Sequence, residues 1–308
     1  MIKFLKWFLI VIVVLILIPP LWFTVFPEAP KHLPEAGNSI LLSTGSHVNV
    51  LDQGTGPAVV LVHGLPGSAY DWRELTPLLN RAGIRTIAYD RVGYGRSDPR
   101  ANTNFSLLAN SDELGELLQA LELDEVTVVG WSYGGAMAMQ AASNSRIARL
   151  VLVGTGGPSS EDDAPPEPSA AIKMLYSMPV LRWRSAVPPV SRALQSVLSD
   201  TAFSGGPQPD WWKRDLAANF SRWDTVLTYR NEILAEIEAD GFDPALIQQP
   251  TLIVHGEDDQ LAPVAIGRYL AKAIPAAVYE EMPGASHMLP ITHASQLSEQ
   301  IAAFARSD

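Results

Sequence analysis

Three short stretches of this 308-residue chain carry the residue types that acyl-transfer chemistry needs. In "VTVVGWSYGG" (126–135) an apolar run ends at Gly130, and a lone serine, Ser132, sits between Trp131 and Tyr133 ahead of two more glycines. The form G-x-S-x-G between a strand and the helical "AMAMQAAS" predicts a sharp turn that lifts the hydroxyl above the strand end. The following helix N-terminus would favour a developing oxyanion there. By itself, a serine before a helix is more often just an N-cap.

A serine hydroxyl is a weak nucleophile at neutral pH and needs a base, which in turn needs an acid to orient it. Of the six histidines, His32 and His47 read as surface residues, His255 as a packed residue of a buried strand, and His293 as part of a final helix. His63 ends a strand in "VHGLPGS". His287, in "MPGASHMLP", falls in a loop after the last expected strand, where strand ends converge in an open α/β sheet. For the acid, "TLIVHGEDDQLAP" ends a strand with Glu257, Asp258 and Asp259. Such a cluster is equally at home as a solvated turn. The order serine, acid, histidine is that of one triad architecture.

The elements that must position these residues are legible. "AVVLVHG" (58–64), "RTIAYD" (85–90), "VTVVG" (126–130), "RLVLVG" (149–154) and "TLIVHG" (251–256) are apolar almost throughout. Continuous hydrophobicity predicts strands buried on both faces, hence a mainly parallel sheet covered by helices. "AAVYEEM" (276–282) is the expected last strand, and "SILLS" with "HVNVLDQG" an antiparallel pair turning at Gly45. "LLANSDELGELLQAL" (107–121) places Leu107, Leu108, Leu114, Leu117, Leu118 and Leu121 near one helical stripe.

Residues 157–249 break the rhythm. "GGPSSEDDAPPEPS" reads as an exposed linker, followed by helical pieces containing Met174, Tyr176, Met178, Trp183, Trp211, Trp212 and Trp223. The expected organisation is an α/β core from 31–156 and 250–308, with 157–249 as a helical lid. The aromatic and methionine side chains suit either an apolar pocket or packing between lid helices.

Residues 1–30 carry Lys3 and Lys6, then no charge from Trp7 until Glu28, a stretch of 21 residues. That is long enough to cross a hydrocarbon core of about 30 Å as a helix, although Pro19 and Pro20 interrupt it. The expectation is a single N-terminal membrane anchor, with the lysines placing the catalytic domain outside the cytoplasm. A signal segment removed by cleavage, giving a secreted protein, is the alternative. Composition adds exclusions. A net charge of −11 argues against nucleic acid, and the absence of cysteine excludes disulfides, thiol nucleophiles and thiolate metal sites.

From about residue 38 onward the chain resembles the α/β-hydrolase superfamily. It looks closest to the branch of epoxide hydrolases, haloalkane dehalogenases, cofactor-free haloperoxidases and small esterases. The resemblance rests on HG-x-P in "HGLPGS", D-x-x-G-x-G-x-S in "DRVGYGRS", the G-x-S-x-G turn, G-x-x-D-x-x-x-P in "GEDDQLAP", and the late histidine. It implies Ser132 as nucleophile, His287 as base and Asp259 as acid, with Asp258 as the alternative acid. It also implies backbone N–H groups of Leu65 and Tyr133 as the oxyanion hole. His63, Asp90, Gly93 and Gly95 then belong to structural loops, and no cofactor or metal is called for. One departure is informative: epoxide hydrolases and haloalkane dehalogenases carry aspartate where this chain has Ser132, so displacement on an epoxide or alkyl halide is disfavoured. The expected activity is ester hydrolysis of a small, hydrophobic substrate through an acyl-enzyme. Carbon–carbon bond hydrolysis or perhydrolysis on the same triad is the alternative, and a non-catalytic ligand-binding protein the least favoured reading.

Overall fold

The computed structural model describes residues 37–101, 104–157, 196–238 and 242–307. Eight strands form one sheet: β1 (Asn38–Leu41), β2 (His47–Gln53), β3 (Ala58–Val62), β4 (Arg85–Tyr89), β5 (Val126–Trp131), β6 (Ile147–Val153), β7 (Thr251–Gly256) and β8 (Ala277–Met282). Their order across the sheet is β1-β2-β4-β3-β5-β6-β7-β8. β1 and β2 pair antiparallel, as do β2 and β4, and every other neighbour is parallel. The expected α/β-hydrolase architecture, a mostly parallel sheet flanked by helices, is what is found.

The helices are α1 (Thr76–Arg81), α2 (Leu107–Ala120), α3 (Tyr133–Gln140), α4 (Asp210–Ser221), α5 (Trp223–Glu238), α6 (Val264–Ala273), α7 (Leu289–Thr292) and α8 (Ala294–Phe304). Residues 196–202 are also helical. α4 and α5 fall between β6 and β7, within the expected insertion.

The continuous hydrophobic runs have the predicted cause. Along β3, Val60 and Val62 enter a core layer with Leu114, Leu117 and Leu118 of α2. The alternate residues Val59 and Leu61 enter a second layer with Trp72, Leu75 and Leu79. Both faces of the strand are therefore covered, and neither position in the period-two alternation can be polar. The stripe expected on α2 is narrower than drawn. Leu108 is 56% exposed, while Asn110, Ser111 and Glu113 are buried. Polar partners account for that: Arg100 donates to both Glu113 carboxylate oxygens, at 2.7 and 2.9 Å, and to Asn110 Oδ1. Asn110 Nδ2 also donates to the Tyr133 hydroxyl at 2.9 Å.

The order of the sheet sets where a ligand can sit. The chain passes from β3 to β4 on one side, then crosses to β5 on the other side of β3. In open α/β sheets ligands bind at such a reversal, beyond the C-terminal strand ends. Gly64 and Ser132 stand at the ends of those two strands.

The expectation of a membrane anchor is corrected. Among the described residues no helix is long and apolar enough to cross a membrane, and residues 1–30, on which the anchor was placed, lie outside them. The anchor and the extracytoplasmic placement that rested on it are withdrawn. The linker from residue 158 and the expected pocket candidates Met174, Tyr176, Met178 and Trp183 also lie outside the described residues.

Candidate active site

β5 ends at Trp131 and α3 begins at Tyr133, leaving Ser132 alone to turn the chain. Its backbone sits at φ 57°, ψ −123°, a sparsely populated region that costs a side-chain-bearing residue about 1–3 kcal/mol. The surroundings hold it there. Ser132 N donates to Val153 O at 3.0 Å, and its carbonyl accepts from Gly135 N at 2.9 Å. Ser132 is the N-cap of α3, yet its side chain makes no capping hydrogen bond. The simple N-cap reading therefore fails.

Two glycines make this turn possible by close approach. A Cβ on Gly130 would collide with the Gly134 carbonyl, and one on Gly134 with the Val62 carbonyl. A third presses on the serine itself: a Cβ on Gly64 would lie 2.9 Å from Ser132 Cβ and 3.5 Å from Oγ. The Gly64–Leu65 loop after β3 is thus packed directly against the hydroxyl-bearing side chain. Tyr133, the other expected oxyanion donor, is the first residue of α3.

His287 and Asp259 meet in the loops after β8 and β7. His287 Nδ1 lies 2.7 Å from Asp259 Oδ2. The other carboxylate oxygen accepts from Leu261 N at 2.9 Å and Ala262 N at 2.8 Å, so the acid is clamped before the imidazole reaches it. The His287 carbonyl accepts from Trp131 Nε1 at 3.0 Å, and the two rings lie 5.7 Å apart. The loop bearing the imidazole is thereby tied to the residue before the serine. Asp258 and Glu257 are exposed; Glu257 accepts from Gly284 N at 3.0 Å. Of the two candidate acids, Asp259 is the one beside His287.

The remaining histidines separate cleanly. His47 faces Asp98 at the surface, with Nδ1 3.2 Å from Oδ2. His293 is the N-cap of α8. His63 Nε2 accepts from Arg91 N at 3.1 Å, and Nδ1 lies 2.9 Å from Gly64 O. That pattern fixes a neutral ring with the proton on Nδ1. Burial, then the Arg91 charge, hold its pKa well below the ordinary value. His255 stands beside the acid, Nε2 being 2.7 Å from Ala262 O and 3.5 Å from Asp259 Oδ2. Burial lowers its pKa as well.

Asp90, expected as structural, bridges three segments. Oδ1 accepts from Ala69 N at 2.7 Å, and Oδ2 from Arg96 N at 2.8 Å and Asn49 Nδ2 at 2.9 Å.

Ser132 and His287 line one cavity with an empty volume of about 310 Å³, mouth included. Its other walls are Gly64, Leu65, Pro66, Trp131, Leu198, Ala202, Trp212, Leu261 and Met288. Of the insertion tryptophans, Trp212 reaches this wall. Trp211 instead stacks on the Arg73 guanidinium, 3.4 Å from its ring centroid. Among the described residues no group of three or more histidines and carboxylates could hold a metal ion. The sequence reading missed Arg91 and Glu232, a fully buried pair 141 residues apart beside the site. Only the presence of a cation inside the glycine-rich "DRVGYGRS" hinted at the first, and nothing local hints at the second.

The chain is similar to several known proteins. A family model described as "alpha/beta hydrolase fold" matches residues 57–294. A 2-hydroxy-6-oxononadienedioate/2-hydroxy-6-oxononatrienedioate hydrolase of Paraburkholderia xenovorans is 29% identical over 269 residues, covering 84% of this chain and 89% of that one. A 2-hydroxy-6-oxo-2,4-heptadienoate hydrolase of Pseudomonas putida is 32% identical over 237 residues, covering 73% and 80%. Among solved structures, an esterase from Exiguobacterium antarcticum superposes with a TM-score of 0.72 at 23% identity, over 88% of this chain and all of that one. That last likeness speaks for the fold alone. With the family match running from before β3 to the start of α8, the chain belongs to the α/β-hydrolase fold family and is a hydrolase of the serine type.

Proposed function

We propose that the protein hydrolyses a carbon–carbon bond next to a ketone, with Ser132 as nucleophile, His287 as base and Asp259 as orienting acid. The observation that carries the triad is the 2.7 Å His287–Asp259 contact opening onto the cavity that a strained, uncapped Ser132 also lines. The choice of bond rests on the relatives named for that reaction class, which match this chain at 29% and 32% identity. This reverses the order of the sequence-based expectation, which put ester cleavage first.

The steps follow from the positions of the groups. Ser132 Oγ adds to the ketone carbonyl while His287 Nε2 takes its proton, and Asp259 stabilises the imidazolium through Nδ1–H. Backbone N–H groups of Leu65 and Tyr133 hold the oxyanion. A carbon leaving group departs only if its electron pair delocalises, so the substrate must be conjugated to a second carbonyl or enol. His287 returns the proton to that fragment as the bond breaks. Water, deprotonated by His287, then releases the acid from Ser132. Ester cleavage is the second reading; the apolar lining by Leu65, Pro66, Trp131, Leu198, Trp212 and Leu261 favours it, because a neutral acyl chain needs no charged partner there.

The test compares the two substrate classes side by side. The protein is incubated with 2-hydroxy-6-oxo-2,4-heptadienoate and, separately, with p-nitrophenyl acetate and butyrate. Loss of the dienone absorbance with release of acetate, abolished by Ser132→Ala, is the expected result. Ester turnover and fluorophosphonate labelling of Ser132 with the dienone left intact would replace this reading by the ester one.

A further inference from the structure

Arg91, the second residue after β4, is 1% exposed, and its partner Glu232 on α5 is 0% exposed. Nη1 and Nη2 donate to the two Glu232 oxygens at 2.9 and 3.2 Å. The Tyr94 hydroxyl donates to the same carboxylate at 2.7 Å. Burial works against the Arg91 charge, but the Glu232 carboxylate overrides it and keeps the guanidinium protonated. Its remaining contacts lead to the site. Nη2 lies 3.4 Å from the Gly64 carbonyl, and Cζ lies 4.8 Å from the centroid of the Tyr133 ring. The Gly64 carbonyl also accepts from His63 Nδ1 at 2.9 Å, and His63 is in turn held by Arg91 N.

Gly64 and Tyr133 are where the oxyanion donors originate. The Gly64 carbonyl and the Leu65 N–H are opposite ends of one planar peptide unit and point in opposite directions. Donors gathered on the carbonyl therefore fix the aim of the N–H and increase its polarity. The guanidinium also packs on the side chain of Tyr133, the residue that supplies the other N–H. A pair that served only to fasten α5 to the core has no need of charge. Burying two ions carries a large desolvation cost, and an apolar pair of similar volume commonly does as well or better.

We propose that Arg91 and Glu232 are positioning residues for the oxyanion hole, with the insertion helix α5 supplying, through Glu232, the charge that holds the Gly64–Leu65 peptide in its catalytic orientation. This rests on the acyl-transfer reading of Ser132. It predicts that the oxyanion site is complete only when α5 is seated against the loop after β4.

The experiment uses the full chain and a transition-state analogue, phenylboronic acid, whose tetrahedral adduct on serine occupies the oxyanion site whatever bond the natural substrate contains. Arg91→Met with Glu232→Leu replaces the pair by apolar groups of similar size, and Glu232→Gln is a milder change should the double variant fail to fold. The expected result is an unfolding midpoint near wild type, kcat lower by about 10–100-fold, KM within about twofold, and boronate affinity weakened in proportion to kcat. That loss is smaller than the roughly 10²–10³ typical of removing a donor outright, because the N–H remains but is misaimed. Arg91→Lys, which keeps the charge, should recover part of both quantities. If folded variants match wild type in kcat and boronate affinity, or lose KM alone, the pair merely fastens the insertion and the proposal falls. A wild-type chain that binds no boronate but hydrolyses substrate would overturn the acyl-transfer reading, and this one with it.

Discussion

The two halves of the proposed site are built from different material. On the nucleophile side, the ends of β3 and β5 present backbone: a strained Ser132, Gly64 pressed against it, and Gly130 and Gly134 permitting the close turn. On the acid–base side, the loops after β7 and β8 present side chains, each tied down by neighbours. Asp259 takes two backbone N–H bonds, and the loop of His287 is held through the Trp131 indole. The first half is specified by which residues lack a side chain, the second by which residues possess one. Substitutions should therefore fail differently: by lost chemistry on the acid–base side, by displaced backbone on the other.

Asp259→Asn isolates the first kind of failure. The amide cannot stabilise the imidazolium and favours the wrong tautomer, so kcat should fall about 10⁴-fold, while the unfolding midpoint moves little because the backbone N–H groups still find an oxygen. Asp258→Asn, at an exposed position, should leave kcat unchanged. Steady-state kinetics with a thermal melt on both variants decides the matter; comparable losses from the two would break the assignment. Gly64→Ala isolates the second kind. The new methyl would stand 2.9 Å from Ser132 Cβ and 3.2 Å from the Trp131 carbonyl, so the oxyanion loop must retreat. A loss of about 10²–10³ in kcat is expected, the scale of a forfeited oxyanion donor, with the pH profile unaltered because His287 and Asp259 are not displaced. Full activity in this variant would mean that the Gly64–Leu65 loop does not touch the reaction.

The same division governs what the sequence could reveal. The buried strands were legible because burial on both faces forces continuous Val, Ile and Leu, and β8 begins within one residue of its expected start. The backbone-built half was legible too, since G-x-S-x-G records a steric requirement in adjacent letters. The acid–base half was less so. Glu257, Asp258 and Asp259 stand side by side, and only the G-x-x-D-x-x-x-P spacing of the resemblance favours the third, the one the fold turns toward His287. Long-range polar pairings left no signal of the partner: Trp131 reaches His287 across 156 residues and Arg91 reaches Glu232 across 141. The polar residues of α2 went unread for a related reason. Asn110 and Glu113 look like a solvent face until Arg100 and Tyr133 are brought against them.

Stability against pH should separate the halves by a smaller effect. In the turn that follows the Gly64–Leu65 loop, Asp71 accepts from Ser68 N at 3.0 Å, and burial pushes its pKa from 3.8 up to about 8. A raised carboxyl pKa means that the folded chain holds this proton more tightly than the unfolded one. Its stabilising contribution is thus complete below pH 3.8 and is lost as pH rises through about 8. His63 and His255 act in the opposite sense. Their pKa values are depressed from 6.5, so the unfolded chain binds those protons first, and stability declines as pH falls below that value. Asp71→Asn keeps an acceptor for Ser68 N and cannot ionise. Its unfolding midpoint relative to wild type should therefore be more favourable at pH 9 than at pH 6, and its decline between pH 6.5 and 3.8 steeper, because Asp71 no longer offsets the two histidines there. A midpoint difference that is the same at both pH values would mean that Asp71 titrates normally, and that the turn after the Gly64–Leu65 loop is wetter than its burial indicates.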